Sequence, residues 1–252
     1  MTSLPPVLPP VQGGTLYGVG VGPGCLDYLT LRAATVLRDA DEIAYFAKKG
    51  GAGTGRSIVA PILSGQQPEI RMIYPMTTEL PPDHPEYRRQ LAEFYETTCA
   101  DLADRLRAGR SIAVLCEGDP FFYGSFMHLW RRLVDAFPVE IIPGISGMSG
   151  CWTRSGQPIT WGDDVLTVLP GTLPQARLTQ ELLGTDAAVI MKIGRNLPKI
   201  RRALEEAGVL ERAIYVERGT MAGEKIMPLA TKPDDDAPYF AIVLVPGQGR
   251  RP

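Results

Sequence analysis

Short apolar runs alternate along the chain with longer stretches in which apolar residues recur every three or four positions. The run from Thr15 to Val21 is closed by Gly22-Pro23-Gly24, and similar runs at Glu42–Phe46 and Glu69–Tyr74 predict two further strands. Asp27 precedes a helical pattern over Tyr28–Leu37 and is the expected N-cap. A long helix is expected from about His84 to Ala108, ended by Gly109. Ser111–Cys116 is almost continuously apolar, as a strand buried on both faces should be. A helix over Ser125–Ala136 and a short strand over Val139–Ile142 follow.

Pro143-Gly144 marks the expected boundary between two lobes. The division is a Pro-rich lead-in over 1–14, an N-terminal lobe over 15–142 and a C-terminal lobe over 143–252. The second lobe carries strand patterns at Val165–Leu169, Ala187–Lys192, Ala213–Glu217, Lys225–Pro228 and Tyr239–Val245. Helices at Gln175–Leu183 and Leu197–Ala207 separate the first three of these. The alternation predicts an α/β protein with a mainly parallel first sheet. The consecutive strands at the end leave no room for helices, so the second sheet is expected to be mixed. No repeat of solenoid type is present.

Composition narrows the classes. At 252 residues, 44% hydrophobic and 21% charged, the chain is an ordinary globular sequence. It lacks the ~18 uninterrupted apolar residues of a membrane span. The opening MTSLPPVLPPVQGG has no basic n-region and reads as a disordered lead-in rather than a secretory or transit segment. Cys25, Cys99, Cys116 and Cys151 form no CxxC pair, so reduced thiols in a cytoplasmic protein are expected, without a disulfide or zinc framework. A net charge of -2 argues against nucleic acid as the main partner.

Several chemistries fail on the letters. The turn Gly18-Val-Gly20-Val-Gly22-Pro23-Gly24 follows a strand, but the GxGxxG frame from Gly18 ends on Pro23 and that from Gly20 on Cys25. Gly50–Ser57 is one substitution from a Walker A loop, with Arg56 where lysine belongs, and is expected to be a flexible surface loop; a nucleotide-binding P-loop is the alternative. Neither Ser146 nor Ser149 lies in GxSxG. His84 and His128 are the only histidines, and each is expected to be structural, so no metal site is expected. Glycine-rich loops at strand ends, without an acid–base or nucleophile set, suit a reaction in which an activated donor supplies the driving force and the protein supplies position. Methyl transfer from a sulfonium is one such reaction, and the spacing does not choose it over other cofactor chemistry.

The series Tyr17-Gly-Val-Gly-Val-Gly-Pro-Gly24, then Leu29-Thr-Leu-Arg-Ala33, resembles the opening of the tetrapyrrole (class III) methyltransferases. Cys116-Glu-Gly-Asp-Pro-Phe-Phe-Tyr-Gly124 is similar to that family's GDP loop, and Val139-Glu-Ile-Ile-Pro-Gly-Ile-Ser-Gly147 to its PGxS/T segment. Met191-Lys192, Val216-Glu-Arg-Gly-Thr220 and the strand around Ala241 complete the series in order. Within the family, CEGDPFFYGSFMHL, Tyr45-Phe-Ala-Lys-Lys-Gly50 and Tyr74-Pro-Met-Thr77 look most like the members that methylate precorrin-2 at carbon 20. Members acting on cobalt-factor II share fold and regiochemistry and stay open as an alternative, as does a non-catalytic tetrapyrrole-binding protein.

The resemblance implies a bilobed homodimer that takes S-adenosyl-L-methionine in a cleft between the lobes, with the methylated tetrapyrrole and S-adenosyl-L-homocysteine as products. Gly118, Asp119, Pro120, Phe122 and Tyr123 would lie at the methionine end of the donor, Ser146 and Gly147 at the lobe junction, and Met191, Gly219, Thr220 and Ala241 on the nucleoside side. Pro23 and Gly24 would sit nearest the tetrapyrrole. Asp119 is the candidate essential polar residue, and Tyr123 and Glu117 are candidate bases for the departing proton. Lys48, Lys49, Arg56, Arg88 and Arg89 are candidate grips on substrate carboxylates, though each also reads as a solvated basic face. Taken alone, Gly118-Asp119-Pro120 could be only a turn, Met191 core filler, and Cys116 and Cys151 small buried residues. Cys25 stands where the family commonly has an acidic residue, and Leu26 where proline is frequent.

Overall fold

Strands β1 (Leu16–Gly20), β2 (Glu42–Ala47), β3 (Glu69–Ile73), β4 (Ile112–Cys116) and β5 (Val139–Ile142) pair in the order β3-β2-β4-β1-β5. The structure is a computed structural model that describes residues 8–75 and 84–249. Every pairing in this sheet is parallel, as the alternation of strands and helices predicts. The chain divides into two compact units, the first ending at Ser146 and the second beginning at Gly147.

Both faces of the centre of the first sheet are covered, so β1 and β4 are buried throughout, whereas β2, β3 and β5 carry Glu42, Glu69 with Arg71, and Glu140. Tyr17 and Val19 of β1, with Ala113 and Leu115 of β4, face α1 (Leu31–Asp39) and α2 (Thr54–Val59), meeting Val36, Leu37, Ile58 and Val59. Leu16, Ile112, Val114 and Cys116 face α3 (Pro85–Arg107) and α4 (Phe126–Leu133), meeting Leu102, Leu106, Phe126 and Leu129. Each fully buried aliphatic or aromatic side chain here contributes about 1.5–3 kcal/mol. Gly18 leaves room for this packing: a Cβ there would lie 2.5 Å from the Phe126 ring.

Helix α3 begins and ends as its sequence dictates. His84 caps it, Nδ1 accepting from the Glu86 N–H at 3.2 Å, with proline in the first turn and Arg105 and Arg107 in the last. Gly109 follows with φ +80°.

Two expectations are corrected. Asp27 is not the N-cap of α1; it lies in a 3-10 turn, Leu26–Tyr28, and Thr30 caps the helix, its Oγ1 accepting from the Ala33 N–H at 3.1 Å. The 3-10 turn after GPG is followed by extended backbone at Leu29 and Thr30, which delays the helix until Leu31. Gly50–Ser57 is not wholly a loop, because α2 starts at Thr54. Gly53, at φ +78°, turns the chain into that helix and its carbonyl accepts from the Ser57 N–H at 3.0 Å. Of the Pro-rich lead-in, residues 1–7 lie outside the described residues, as do Met76 and Thr77. Gln12 N–H donates to the Tyr17 hydroxyl at 2.8 Å, and Gly14 N–H to the Arg110 carbonyl at 3.2 Å.

The second unit holds β6 (Leu166–Pro170), β7 (Ala187–Met191), β8 (Ile214–Glu217), β9 (Lys225–Pro228) and β10 (Ala241–Val245), in the order β6-β7-β10-β8-β9. The β6–β7 pair is parallel and the other pairs are antiparallel, so the sheet is mixed, as expected. Helices α6 (Gln175–Leu183) and α7 (Leu197–Glu206) cover one face through Leu178, Leu182, Ile200 and Leu204. The other face packs on α5 (Gly147–Ser155), whose Cys151 meets Val189, Val216 and Ile242. Helix α5 was not expected from the sequence, since GMSGCWTRS has two glycines, two serines and little apolar periodicity. No helix among the described residues is long and apolar enough to cross a membrane.

Candidate functional site

In the first sheet β1 and β4 are neighbours, yet the chain leaves them in opposite directions, β1 towards β2 and β4 towards β5. Here the two connections cross each other's strands, and the carboxyl ends of parallel strands are where open α/β sheets bind ligands. The loops there are the GPG turn after β1, residues 117–124 after β4 and residues 143–146 after β5. They interlock through backbone. Val21 N–H donates to the Cys116 carbonyl at 2.9 Å, Gly118 N–H to Gly22 at 2.8 Å, and Gly22 N–H to Gly118 at 3.4 Å. The approach is too close for side chains: a Cβ on Gly20 would lie 2.5 Å from the Gly144 nitrogen, and one on Gly144 only 2.0 Å from the Gly118 carbonyl oxygen. The glycines read from the sequence as cofactor-loop signals are thus first required for loops to pack on one another.

Asp119 completes the lock. Its Oδ1 accepts from the Phe121 N–H at 2.8 Å and its Oδ2 from the Gly144 N–H at 3.1 Å, tying the loop after β4 to the loop after β5. Pro120 is buried, Phe122 half-buried and Tyr123 exposed. Tyr123 holds φ +54°, a left-handed conformation that turns it out of the loop, with its ring edge-on to Phe122 at 4.8 Å. Pro23, Gly24 and Ser146 are half-buried at the same strand ends.

Glu117, the first residue of this loop, is fixed by the helix that follows β2. Its Oε1 accepts from the Gly55 N–H in the first turn of α2 at 2.8 Å. Although the residue is open to solvent, enough protein surrounds its carboxyl that desolvation raises the pKa above the usual carboxylate range, the Gly55 hydrogen bond opposing the shift.

The basic candidates divide. Lys48 and Lys49 are exposed after β2 and form no ion pair among the described residues. Arg56 is committed to Glu69 of β3 at 2.9 Å, and Tyr45 donates to the same carboxylate at 3.0 Å. Arg56 and Arg71 line a shallow open cavity of about 470 Å³ with Gly50, Gly51 and Tyr45. Arg88 is exposed on α3, and Arg89 pairs with Glu86 and Glu93 of its own helix, so neither is brought to the strand-end loops.

In the second unit the candidates gather at one end of the mixed sheet. There β7 ends at Met191, β8 ends at Glu217, and Ala241 opens β10 opposite Glu217. Gly219 and Thr220 form the turn after β8. Arg218 and Thr220 hold φ +49° and +69°, and Arg218 N–H donates to the Phe240 carbonyl at 2.7 Å. A Cβ on Gly219 would lie 2.6 Å from the Cys151 Sγ. Glu224, which the sequence reading did not single out, accepts from the Thr220 N–H at 2.7 Å and from Arg154 of α5 at 2.7 Å. Gly147 begins α5 with open space where a Cβ would point. Thr220 Oγ1 is buried without a hydrogen-bond partner among the described residues.

Burial lifts the thiols of Cys99 to about 11 and Cys151 to about 12, and raises that of Cys116 strongly, so all three are protonated near neutrality. No cluster of metal-ligating side chains occurs among the described residues.

The sequence candidates thus fall on glycine loops locked at the parallel strand ends of the first unit and on the left-handed turn after β8 in the second. The chain belongs to the tetrapyrrole (corrin/porphyrin) methylases, whose family model matches residues 15–232. It is 54% identical over 239 residues to a precorrin-2 C(20)-methyltransferase of Sinorhizobium sp, covering 95% of this chain and 98% of that one. It is 29% identical to a cobalt-precorrin-2 C(20)-methyltransferase of Salmonella typhimurium, covering 93% and 97%. The fold matches a cobalt precorrin-4 methyltransferase with a TM-score of 0.71 at 20% identity, over 95% of this chain and 97% of that one. It also matches a uroporphyrin-III C-methyltransferase from Thermus thermophilus complexed with S-adenosylhomocysteine, with a TM-score of 0.66 at 19% identity, over 91% and 96%.

Proposed function

We propose that the protein transfers a methyl group from S-adenosyl-L-methionine to carbon 20 of precorrin-2, giving precorrin-3A and S-adenosyl-L-homocysteine in cobalamin biosynthesis. The observation that carries this reading is the 54% identity, across nearly the full length of both chains, to a precorrin-2 C(20)-methyltransferase. Identity to the cobalt-precorrin-2 relative is much lower, at 29%, which supports a metal-free substrate. The donor follows from the family, and a protein of the same fold is known complexed with S-adenosylhomocysteine. We further propose a cytoplasmic homodimer.

The donor supplies an activated methyl group on a sulfonium, so the protein's task is to place it and to shape the substrate's approach. In this reading Gly118, Asp119, Pro120, Phe122 and Tyr123 form the surface at the methionine end. Asp119 acts by holding two loops in register and by placing a carboxylate near a cationic donor. Ser146, Gly147, Met191, Gly219, Thr220 and Ala241 contact the rest of the donor, with Thr220 Oγ1 gaining the partner it lacks. Pro23 and Gly24 border the tetrapyrrole, and Lys48, Lys49 and Arg56 meet its carboxylates. Of these, Lys48 and Lys49 need break no ion pair among the described residues, whereas Arg56 must share itself with Glu69.

Single-turnover transfer from methyl-labelled S-adenosylmethionine to anaerobically prepared precorrin-2, with NMR mapping of the product, tests the proposal. Label at carbon 20 is expected. Label at another carbon, or transfer only to cobalt-factor II, would replace the substrate assignment, and failure to bind the donor would remove the reaction class.

A further inference from the structure

Methylating a carbon that already bears hydrogen leaves one proton too many. As the new C–C bond forms, the S–CH3 bond breaks and its electron pair stays on sulfur. The C–H pair must then return to the conjugated macrocycle while the proton goes to an acceptor. The carboxylates at the carboxyl end of the parallel sheet are few, and most are already used.

Asp119 has both oxygens engaged by backbone N–H groups, so its carboxylate is already committed to holding two loops together. Glu69 is held by Arg56 and Tyr45. Glu140, on β5, is bound by both Arg32 nitrogens at 2.7 and 2.8 Å. Asp41 and Glu42 lie at the start of β2, the opposite end of the sheet. Asp27 is exposed in its 3-10 turn, and no hydrogen bond fixes its side chain among the described residues.

Among the carboxylates of the described residues at this end, Glu117 is the one both held and open. Gly55 fixes Oε1 at 2.8 Å and the residue's own backbone N–H also meets the carboxylate, while the residue lies open to solvent. The hold depends on glycine, since Gly55 is buried against Leu115, where a Cβ would lie 3.3 Å from the Leu115 Cβ and 3.6 Å from Oε1. Among the described residues no lysine or arginine pairs with it: Arg56 of α2 is spent on Glu69, and Lys48 and Lys49 of the loop after β2 make no ion pair there. The other titratable groups nearby are Asp119 and the buried Cys116 thiol.

Resting on the methyl transfer proposed above, the geometry points to Glu117 as the acceptor of the proton released from the methylated carbon, through its exposed carboxylate. Desolvation without a cationic partner also moves the group towards the basicity that favours proton transfer near neutral pH. Gly55 serves as a positioning residue that aims the carboxylate. Tyr123, the other candidate from the sequence, is turned outward on an exposed loop.

The test compares wild type, Glu117→Gln, Glu117→Asp and Asp27→Asn in single turnovers with precorrin-2 carrying hydrogen or deuterium at carbon 20. In Glu117→Gln the amide oxygen can still accept from Gly55, so the fold and donor binding should survive, and calorimetric donor affinity checks this. Product formation in Glu117→Gln is expected to fall by about 10²–10⁴-fold. A primary isotope effect should appear that wild type lacks, because proton removal becomes limiting. The acid limb of the wild-type pH profile should vanish in Glu117→Gln and persist in Glu117→Asp, which keeps a carboxylate and partial rate. A purely structural role would lower the rate without creating the isotope effect or moving the profile. Wild-type kinetics in Glu117→Gln, or the isotope effect arising in Asp27→Asn instead, would overturn the assignment while leaving the reaction intact. Absence of methyl transfer by the wild-type enzyme would overturn the reaction itself, and the role of Glu117 with it.

Discussion

Replacing Gly144 by alanine tests whether the three strand-end loops hold one another. Gly144 is not among the residues with positive φ, so the substitution strains contacts rather than backbone. Its new Cβ would lie 2.0 Å from the Gly118 carbonyl oxygen, 2.8 Å from the Gly20 Cα and 2.9 Å from the Gly20 carbonyl carbon. All three are backbone atoms, and no side chain can rotate away. Restoring an ordinary contact of 3.4 Å requires a retreat from 2.0 Å of about 1.4 Å. That movement is large enough to break the 2.8 Å bond from Gly118 N–H to Gly22 and the 3.1 Å bond from Gly144 N–H to Asp119. Overpacking costs about 1–3 kcal/mol, and loss of a hydrogen bond to a charged group about 1.5–3 kcal/mol. We expect Gly144→Ala to lower stability by roughly 3–5 kcal/mol in urea denaturation and to weaken donor binding by at least about tenfold. Gly184→Ala is the control, because its Cβ would meet nothing closer than 3.7 Å; a change within about 0.5 kcal/mol is expected there. A Gly144→Ala protein as stable as this control, with wild-type donor affinity, would refute the interlocking argument.

Asp119→Ala should lose both backbone anchors and about 2 kcal/mol of stability, with turnover reduced at least about tenfold; wild-type turnover would sink its role. Gly219→Ala should clash with Cys151, and adding Cys151→Ala should recover part of the loss, giving a coupling of about 1 kcal/mol or more in a double-mutant cycle; simple additivity would show that the contact is not felt. Iodoacetamide at pH 8 should label Cys25 alone in the native protein, whereas labelling of Cys99, Cys116 or Cys151 would contradict their burial. Because folding raises the Cys99 and Cys151 pKa values to about 11 and 12, their contribution to stability should be complete below the unfolded thiol pKa of about 8.5. It should then decline as pH rises from there through the folded values, and urea titrations that show no such decline would contradict the shift. Neutralising Lys48, Lys49 and Arg56 together should raise the KM for precorrin-2 with little change in donor affinity, and an unchanged KM would remove them from substrate recognition.

Much of the architecture was legible in the letters because it depends on local periodicity. Continuous apolar runs such as Ile112–Cys116 are what a sheet covered on both faces needs, and Pro85, Arg105, Arg107 and Gly109 mark the ends of α3 whatever surrounds them. Helix α5 and the start of α2 were illegible for the opposite reason. Their glycines and serines have weak helical preference, and packing of Cys151, Ile58 and Val59 against a sheet overrides it. The cap of α1 was misplaced because Asp27 and Thr30 are both good caps, and only the path of the GPG turn selects Thr30.

The sequence by itself determined the order of elements, the parallel and mixed characters of the two sheets, and the family, since motifs and periodicity are properties of the chain taken one stretch at a time. Only the tertiary structure decided what the motifs touch. It tied Asp119 to Gly144 across 25 positions, Gly55 to Glu117 across 62, and Arg154 to Glu224 across 70. Hydrogen bonds and close backbone contacts depend on distances of a few ångströms between residues far apart in sequence, and those distances exist only once the strands have set their order and register.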